Sequence, residues 1–263
     1  MKYFIDTEFV EGTQHTLFGK TKPTIDLISI GIVSEDHREY YAISKDFNLK
    51  EAWNRFEWKD WNSTHTEDKD RNLKQKVYWL RDNVLKPIFR EMMIGSHAIS
   101  LDTYDDQFTY KFFKKLLNEY GKTNKQIAEE IKDFVSLKAS GSILAFTPNH
   151  NATYEDRIDE IKRNYPRYMP EFYGYYADYD WVVFCWLFGN MIDLPKGFPM
   201  YCIDLKQTLN TMCDNDLFNA DKHGHTSFSL TGIKKHPKYP KQVNEHNALA
   251  DARWNKKLFY FLN

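Results

Sequence analysis

Residues 2–10, Lys2-Tyr3-Phe4-Ile5-Asp6-Thr7-Glu8-Phe9-Val10, place two acids inside an otherwise apolar stretch that has the composition of a β-strand. Successive side chains of a strand alternate between faces, so Asp6 and Glu8 project from one face together with Phe4, and Thr7 projects from the other. Unpaired buried carboxylates are costly, which makes a divalent cation their natural partner. Because the stretch offers only oxygen ligands, we expect a hard ion, Mg²⁺ or Mn²⁺. The alternative is a strand end whose acids are solvated or paired with lysine.

The length and composition indicate a folded globular protein. A chain of 263 residues is long enough for one elaborated domain or two small ones. Its 42% hydrophobic and 16% aromatic content is that of a folded chain and not of a disordered one. The formal net charge of −1 excludes a globally basic nucleic-acid clamp but leaves room for local basic patches.

The cysteines and the N-terminus bear on the compartment. Cys185, Cys202 and Cys213 lack the spacing of a metal or redox motif, as reduced thiols of an intracellular protein do. The chain enters a strand without a basic and then apolar leader, and no apolar run reaches the roughly 18 residues of a membrane span. We therefore expect a soluble, cytoplasmic protein that does not interact with membranes.

The N-terminal quarter predicts an antiparallel meander at one side of a sheet. After the first strand, residues 11–24 are polar with two glycines and a proline, which predicts a loop. Residues 25–34 are β-branched and apolar, as in a central strand, and residues 38–44 read as the strand that returns from a short turn.

Helical periodicity follows in the middle of the chain. Apolar residues recur at helical spacing from Val77 to Phe89, with Pro87 as a kink or an end. Residues 107–120 predict an amphipathic helix closed by a glycine, and residues 124–137 predict another that begins at a capping asparagine. The polar stretch 138–170 holds at most a short helix at 154–163 and is typical of a functional surface insertion.

A second acidic signal lies in residues 171–189. An aromatic strand leads to Asp178 and Asp180, and an apolar helix then ends at Gly189. A carboxylate at a strand-to-helix switch lies at the edge of a sheet, where ligand sites gather, so Asp180 is a candidate metal ligand. A helix N-cap is the alternative role for Asp180, and Asp178 competes for either role. The other aromatic residues of the helix are predicted to be core: Trp181, Phe184 and Trp186.

The third signal is in residues 245–254. A short strand or turn at 202–205 and a helix at 206–212 precede it. His246 is placed on or before the first turn of a last helix, with Asp251 about one and a half turns inside it. Just upstream, the basic and proline-interrupted residues 233–241 include Lys235. They either hold phosphates beside His246 or form a solvated run of charge.

The order of the three signals carries a resemblance. Asp6-Thr7-Glu8, then Asp180, then His246-x-Ala-x-x-Asp251 resembles the three motifs of the DEDDh 3′–5′ exonuclease superfamily. The closer resemblance is to the small bacterial exoribonucleases typified by a mycobacterial enzyme active on adenylate-rich RNA. It is carried by these stretches: residues 3–9, 25–31, 38–42, 179–189 and 246–253. The chain departs from the wider superfamily at Tyr176, where an asparagine is usual, which puts substrate contacts there in doubt.

The resemblance implies a fold and an activity. The fold is a ribonuclease-H-like α/β domain spanning residues 1–263. It has a mixed five-stranded sheet flanked by helices, and the first three strands of the sheet are antiparallel. Residues 60–75 and 138–170, with 94–122 as a further candidate, look like insertions relative to shorter members. The implied activity is metal-dependent hydrolysis of single-stranded RNA from its 3′ end, with two Mg²⁺ ions that Mn²⁺ replaces. A homodimer is also implied.

The resemblance also implies roles for individual residues. Asp6 bridges both ions, Glu8 and Asp251 complete one ion site, and Asp180 holds the other, mostly through water. His246 is the general base, since a neutral imidazole can accept a proton near physiological pH. Three further residues are expected to contact the substrate: Thr7, Phe9 (by stacking on a base, with Leu27 or Ile28 packed nearby) and Lys235 of the basic loop.

Two other functions remain open on the sequence alone. One is a different two-metal nuclease of the same fold, such as a DNA exonuclease or an endonuclease. The other is a nucleic-acid-binding protein without catalysis, although retention of all four acids and the histidine argues against it. Stepwise release of mononucleotides from a 3′ end would exclude an endonuclease.

Overall fold

A five-stranded mixed sheet with helices on both faces organises the chain, in a computed structural model that describes residues 1–15, 21–60, 74–95, 104–135, 169–212 and 230–263. The strands in chain order are β1 (Lys2–His15), β2 (Thr21–Ser34), β3 (Glu39–Ile43), β4 (Glu57–Asp60), β5 (Lys74–Val77), β6 (Glu171–Gly174) and β7 (Ile203–Asp204). The helices are α1 (Leu49–Asn54), α2 (Lys86–Gly95), α3 (Tyr104–Gln107), α4 (Tyr110–Tyr120), α5 (Asn124–Val135), α6 (Asp178–Phe188), α7 (205–212), α8 (Leu230–Ile233) and α9 (Ala248–Leu262).

The strand order in the main sheet is β3-β2-β1-β6-β7. β1, β2 and β3 are antiparallel neighbours, whereas β6 lies parallel to β1 and β7 parallel to β6. This confirms the predicted α/β class, the mixed five-stranded sheet and its antiparallel first three strands. β4 and β5 form a separate antiparallel hairpin.

The two faces of β1 are covered by different helices. Phe4, on the acidic face, packs with Trp254 and Leu258 of α9. Tyr3 and Ile5, on the opposite face, belong to a core formed with α5 and α6. The register shifts between Glu8 and Phe9, at a bulge of the kind that re-aims side chains beside active sites. The alternation predicted for β1 is therefore confirmed up to the bulge.

The loop predicted at residues 11–24 is wrong. β1 continues to His15 and β2 begins at Thr21, with residues 11–15 paired one by one to residues 21–25. Strand propensity is a weak guide here, because the hydrogen bonds between paired strands are formed by the backbone and do not depend on whether the side chains are polar. The long β1–β2 hairpin is anchored by Val10, which is buried in a second core against helices α1, α2 and α4.

The helix predicted around Pro87 begins later and does not end there. Residues Arg81–Leu85 form a π-helical turn, and α2 then continues to Gly95 with Pro87 in its first turn. The N–H of Lys86 donates to the carbonyl of Arg81, five residues back. A proline lacks an N–H and crowds the carbonyl four residues back, and the wider π spacing accommodates both defects.

Other element boundaries also differ from prediction. The helix expected at 107–120 begins later, as α4 at Tyr110, because Thr109 caps it by accepting from Phe112 N, and Gln107 is instead the last residue of α3. At α5 the side-chain acceptor for the Gln126 N–H is Thr123, one residue before the predicted cap. Trp181 and Phe184 are core as predicted, but Trp186 is 48% exposed. An apolar helix that packs on the sheet and α5 leaves one side uncovered, and Trp186 lies on that side.

Some predictions fall outside the described residues. They concern Cys213, the short helix at 154–163 and most of the proposed insertions at 60–75 and 138–170. Cys185 and Cys202 are free thiols. Among the helices that the structure describes, none has both the length and the apolar character needed to cross a membrane.

Candidate metal centre and active site

Three carboxylates from the two ends of the chain meet on the acidic face of β1. Asp6 and Glu8 of β1 and Asp251 of α9 each offer a carboxylate oxygen, and these oxygens all lie within 4.8 Å of one another. Asp6 and Glu8 are half-buried and Asp251 is buried. Such spacing between like charges is unfavourable without a counter-charge, so this cluster is the candidate metal centre.

Close packing of α9 on β2 brings Asp251 to the strand. Gly31 pairs with Asp6 in the sheet, and a Cβ at Gly31 would overlap the carbonyl of Ala248, the first residue of α9. Only glycine permits this approach. Buried Asn255 fixes the helix from the same side, donating from Nδ2 to the carbonyl of Ile5 at 2.9 Å. Asp251 is the fourth residue of α9, one turn inside the helix and nearer its start than predicted.

Two donors orient the Asp251 carboxylate. Gln242 Nε2 donates to Oδ1 at 2.6 Å, and the backbone N–H of His246 donates to Oδ2 at 2.8 Å. Metal ligands are commonly held by such hydrogen bonds, which set their orientation. Gln242 was not identified from the sequence, since an isolated glutamine in a polar loop gives no signal of this contact.

Asp180 is anchored to the same strand from the opposite side. Its Oδ1 accepts from the Thr7 backbone N–H at 2.9 Å and from Thr7 Oγ1 at 2.5 Å. Asp180 is buried in the first turn of α6, where Ala177 is the N-cap residue. The N-cap alternative is therefore wrong for Asp180. It is also wrong for Asp178, which is exposed at the first residue of the helix.

Burial raises the pKa of each of the four acids, and the charges of the other acids add to the rise for Asp6 and Glu8. Burial raises the pKa of Asp6 well above its ordinary value, and the charges of Asp180, Glu8 and Asp251 raise it further. Burial, followed by the charges of Asp251 and Asp180, raises the pKa of Glu8 to about 8. The four carboxylates thus form one electrostatic unit, with Asp180 included.

Hydrogen bonds oppose the rise in pKa at Asp180 and Asp251. Burial raises the pKa of Asp180 to about 6, and the two bonds from Thr7 oppose that rise. Burial likewise raises the pKa of Asp251, against the bonds from Gln242 and His246. Each acid therefore has a donor that favours its ionised form, as a metal ligand requires.

The donor set fits a hard divalent cation. The clustered oxygens are all carboxylate, and a cation among them would remove both the repulsion and the burial penalty. Carboxylate ligands without sulfur or imidazole suit Mg²⁺ and Mn²⁺.

His246 lies beside the cluster, two residues before α9. Its backbone has φ 66°, a left-handed conformation that is held by the N–H bond to Asp251. Its half-buried imidazole meets the edge of Trp79, with ring centroids 4.7 Å apart and an interplanar angle of 76°. Trp79 was not identified from the sequence, because nothing local to residue 79 indicates a contact with residue 246.

A hydrogen-bond network supports the residue that follows His246. Asn247 caps α9 by accepting from Ala250 N at 2.9 Å, and its Nδ2 donates to Glu91 Oε1 at 2.8 Å. Tyr41 OH donates to the other oxygen of Glu91 at 3.0 Å. The start of α9 is thus tied to both β3 and α2.

The predicted substrate residues fall in different surroundings. Phe9 is half-buried, meets the edge of Tyr179 at 5.7 Å, and packs in the same cluster as buried Leu27, whereas Ile28 belongs to another core. The hydroxyl of Thr7 donates to Asp180. Lys235 is exposed in the turn after α8, with its backbone N–H donating to the Gly232 carbonyl at 3.0 Å. Contact between Lys235 and a phosphate stays a prediction.

Comparison with known proteins gives one consistent indication. Two proteins named 3′-5′ exoribonuclease, from two strains of Mycobacterium tuberculosis, are each 23% identical to this chain over 253 residues. The aligned region covers 96% of this chain and 88% of each relative. No protein-family model matches the chain. The similarity therefore spans nearly the whole of both proteins at a low level of identity.

Proposed function

We propose that this protein is a metal-dependent 3′–5′ exoribonuclease that acts on single-stranded RNA. The observation that carries the proposal is the convergence of Asp6, Glu8 and Asp251, whose oxygens lie within 4.8 Å. The shared length and the printed name of the mycobacterial relatives support the same activity. We further propose a ribonuclease-H-like fold of the DEDDh type in a single domain, residues 1–263, with the insertions given above.

The four acids are proposed to hold two Mg²⁺ ions, which Mn²⁺ can replace. Asp6 contributes to both sites, Glu8 and Asp251 complete one, and Asp180 serves the other. Bound ions of this kind supply Lewis acidity and offset the negative charge that develops on a phosphodiester during hydrolysis. Thr7 and Gln242 keep Asp180 and Asp251 oriented towards the cluster through the bonds described above.

His246 is proposed as the general base for the attacking water. Its backbone bond to Asp251 keeps the residue at the rim of the carboxylate cluster, and the edge of Trp79 limits the positions of its ring. A neutral imidazole accepts the proton at Nδ1 or Nε2, while the nearby carboxylates stabilise the imidazolium that forms.

Substrate contacts are assigned to residues around the cluster. Phe9 offers a ring on which the terminal base can stack, Lys235 a charge for a phosphate, and Thr7 a hydroxyl oxygen that can still accept a bond. The free thiols of Cys185 and Cys202 fit a reducing compartment, so we place the protein in the cytoplasm. A homodimer is part of the proposal and is tested by its mass in solution.

A time course on 5′-labelled single-stranded RNA and DNA of equal sequence tests this function. It is run with Mg²⁺, with Mn²⁺ and with chelator, beside an Asp6→Ala variant. The proposal predicts a ladder that shortens from the 3′ end of RNA, requires metal and is absent in the variant. Preference for DNA would indicate a DNA exonuclease, internal cuts an endonuclease, and intact substrate in every lane a binding protein.

A further inference from the structure

The β4–β5 hairpin presents a face of alternating aromatic and cationic side chains. Trp58 pairs directly with Lys76, and Asp60 with Lys74. The neighbours on the same face give the set that we call the hairpin face: Phe56, Trp58, Asp60, Lys74, Lys76 and Tyr78. Phe56 meets Trp58 edge-on at 5.6 Å and Tyr78 at 5.9 Å. The ammonium of Lys76 lies 4.2 Å from the centroid of Phe56 and 5.4 Å from that of Trp58.

This face is left open to solvent. Every residue of β4 is exposed, with Trp58 at 58%, and Phe56, just before the strand, is 40% exposed. Among the residues that the structure describes, Lys76 has no carboxylate partner within ion-pair distance. Clustered exposed aromatic rings are uncommon on a protein surface without a binding role.

The hairpin carries a small excess of positive charge. β4 and β5 hold three lysines and two acids, in a protein whose formal net charge is −1, and Arg55 and Arg81 flank the two strands. Aromatic rings that stack on bases, interleaved with cations that follow the phosphates, are the combination by which proteins hold single-stranded nucleic acid. The hairpin face is therefore complementary to a single strand in both respects.

A cavity of about 170 Å³ lies between the hairpin and β1. Phe9, the residue after Glu8, lines it together with Phe56 of the hairpin face and Trp79, and its other lining residues are Glu11, Arg55, Glu57, Val77 and Leu80. Trp79 also contacts the ring of His246. Phe9 and Trp79, which are next to residues of the candidate site, thus share one cavity with Phe56.

We propose that the hairpin face binds the segment of single-stranded RNA that lies on the 5′ side of the nucleotide being removed. This inference rests on the proposed function, because the cluster sets which end of the strand is held. Bases of that segment stack on Trp58 and Phe56, while Lys76 contacts a phosphate. Because this face is proposed to bind the 5′ segment and not the nucleotide being removed, its contribution grows with the length of the RNA.

Binding is measured first, in chelator, so that no hydrolysis occurs. The probe is a 5′-fluorescein single-stranded RNA of twelve nucleotides, compared with one of two nucleotides, by fluorescence anisotropy. Trp58→Ala combined with Lys76→Gln should weaken binding of the longer RNA at least about tenfold, the size expected for one lost stacking contact, and leave the shorter one unchanged. Lys76→Gln alone should lower the slope of log affinity against log salt by about 0.7.

The controls separate binding from folding. Trp186→Ala removes a tryptophan of similar exposure from α6 and should leave RNA binding unchanged. Trp58→Phe keeps an aromatic ring and should retain most of the affinity. Thermal unfolding of the four variants at the same temperature as the wild type would show that each is folded, as expected for changes at exposed positions.

Hydrolysis then separates this inference from the proposed function. With Mg²⁺, the double variant should lose at least about tenfold in kcat/KM on the long RNA and keep the wild-type value on the dinucleotide. If the double variant cleaves both RNAs as fast as the wild type, the hairpin face has no role in binding, but the proposed nuclease activity still holds. If the wild type does not cleave RNA but binds it in a way that depends on Trp58, the proposed nuclease activity is wrong and the role of the hairpin face holds.

Discussion

At the scale of single residues, the position of Asp180 rests on a side chain 173 residues away. Both donors of Thr7 bond to the same carboxylate oxygen, which fixes α6 to β1 at the point where the acids meet. Asp178, two residues earlier, is exposed on the same helix. The two aspartates have equal chemistry and opposite surroundings, and they form a matched pair for testing the cluster.

Asp180→Asn should lower kcat/KM by at least about 100-fold, since loss of even a supporting residue of a metal ligand costs 10–100-fold. Asp178→Asn, which removes an equal charge outside the cluster, should stay within about twofold of the wild type. Steady-state hydrolysis of single-stranded RNA measures both variants. Equal losses in the two would show that the assignment of Asp180 to the cluster is wrong.

Phe9→Ala should raise KM about tenfold and change kcat little, because a stacking contact holds substrate and transition state alike. Phe9→Tyr keeps the ring and is the control. The measurement is a full kinetic curve on single-stranded RNA. An unchanged KM in Phe9→Ala would show that Phe9 does not stack on the substrate.

Sequence reasoning found the acids but not the residues that hold them. Asp6, Glu8 and Asp251, which come from two short patterns, lie within 4.8 Å of one another in the structure, whereas the catalytic roles of these residues, of Asp180 and of His246 stay predictions. The supporting contacts were not predicted, because they join residues distant in the chain and leave no local pattern: Gln242 to Asp251, Trp79 to His246 and Glu91 to Asn247. That Ala177 and not Asp180 is the N-cap of α6 likewise required the structure.

At the scale of elements, the approach of α9 to β2 decides whether the site forms. Gly31 lies opposite Asp6 in the sheet and beneath the first turn of α9. Composition predicted that β2 is a central strand, but not that α9 packs directly against one of its glycines. The polar extension of the β1–β2 hairpin and the π turn before Pro87 were missed for a similar reason, since backbone pairing and helix widening depend on tertiary context.

Gly31→Ala should displace α9, destabilise the protein by about 1–3 kcal/mol and reduce RNA hydrolysis in proportion to the displaced Asp251. Gly12→Ala is the control on the same hairpin, where an added Cβ lies at an ordinary 3.6 Å from Glu51 Cγ. Chemical denaturation and kcat/KM give the two readouts. A Gly31→Ala protein as stable and active as Gly12→Ala would contradict the close packing.

At the scale of the whole molecule, the sheet order brings the three acidic patterns together. The antiparallel order of the first three strands was predictable from short links, whereas β6 and β7 join across long stretches of chain. The parallel pairing of β6 to β1 sets α6, which follows β6 in the chain, beside the acidic strand. The relation between Asp180 and the N-terminal acids is thus a property of the completed sheet.

The pKa values predict an inverted pH dependence for the metal-free protein. Folding raises the pKa of Glu8 to about 8 and that of Asp180 to about 6, against unfolded values of about 4.3 and 3.9. The protonated acids are favoured in the folded state, so their stabilisation is present below the unfolded values and is lost as pH rises through the folded ones.

Thermal unfolding in chelator should therefore show Tm falling between pH 6 and pH 8. Ion-paired surface acids such as Glu39, whose pKa its bond to Arg253 holds low, stay ionised throughout that range. Mg²⁺ should flatten or reverse the trend, because metal binding requires deprotonated ligands. A metal-free Tm that is constant or rises with pH would contradict the electrostatic description of the cluster.

The central claim is that carboxylates from three parts of the chain form one metal centre, and a titration with Mn²⁺ followed by electron paramagnetic resonance tests it most directly. Free Mn²⁺ is counted against protein for the wild type, Asp6→Asn and Asp178→Asn. The account predicts two bound ions per chain in the wild type and in Asp178→Asn, and loss of at least one in Asp6→Asn. Absence of binding in the wild type, or equal binding in Asp6→Asn, would contradict it.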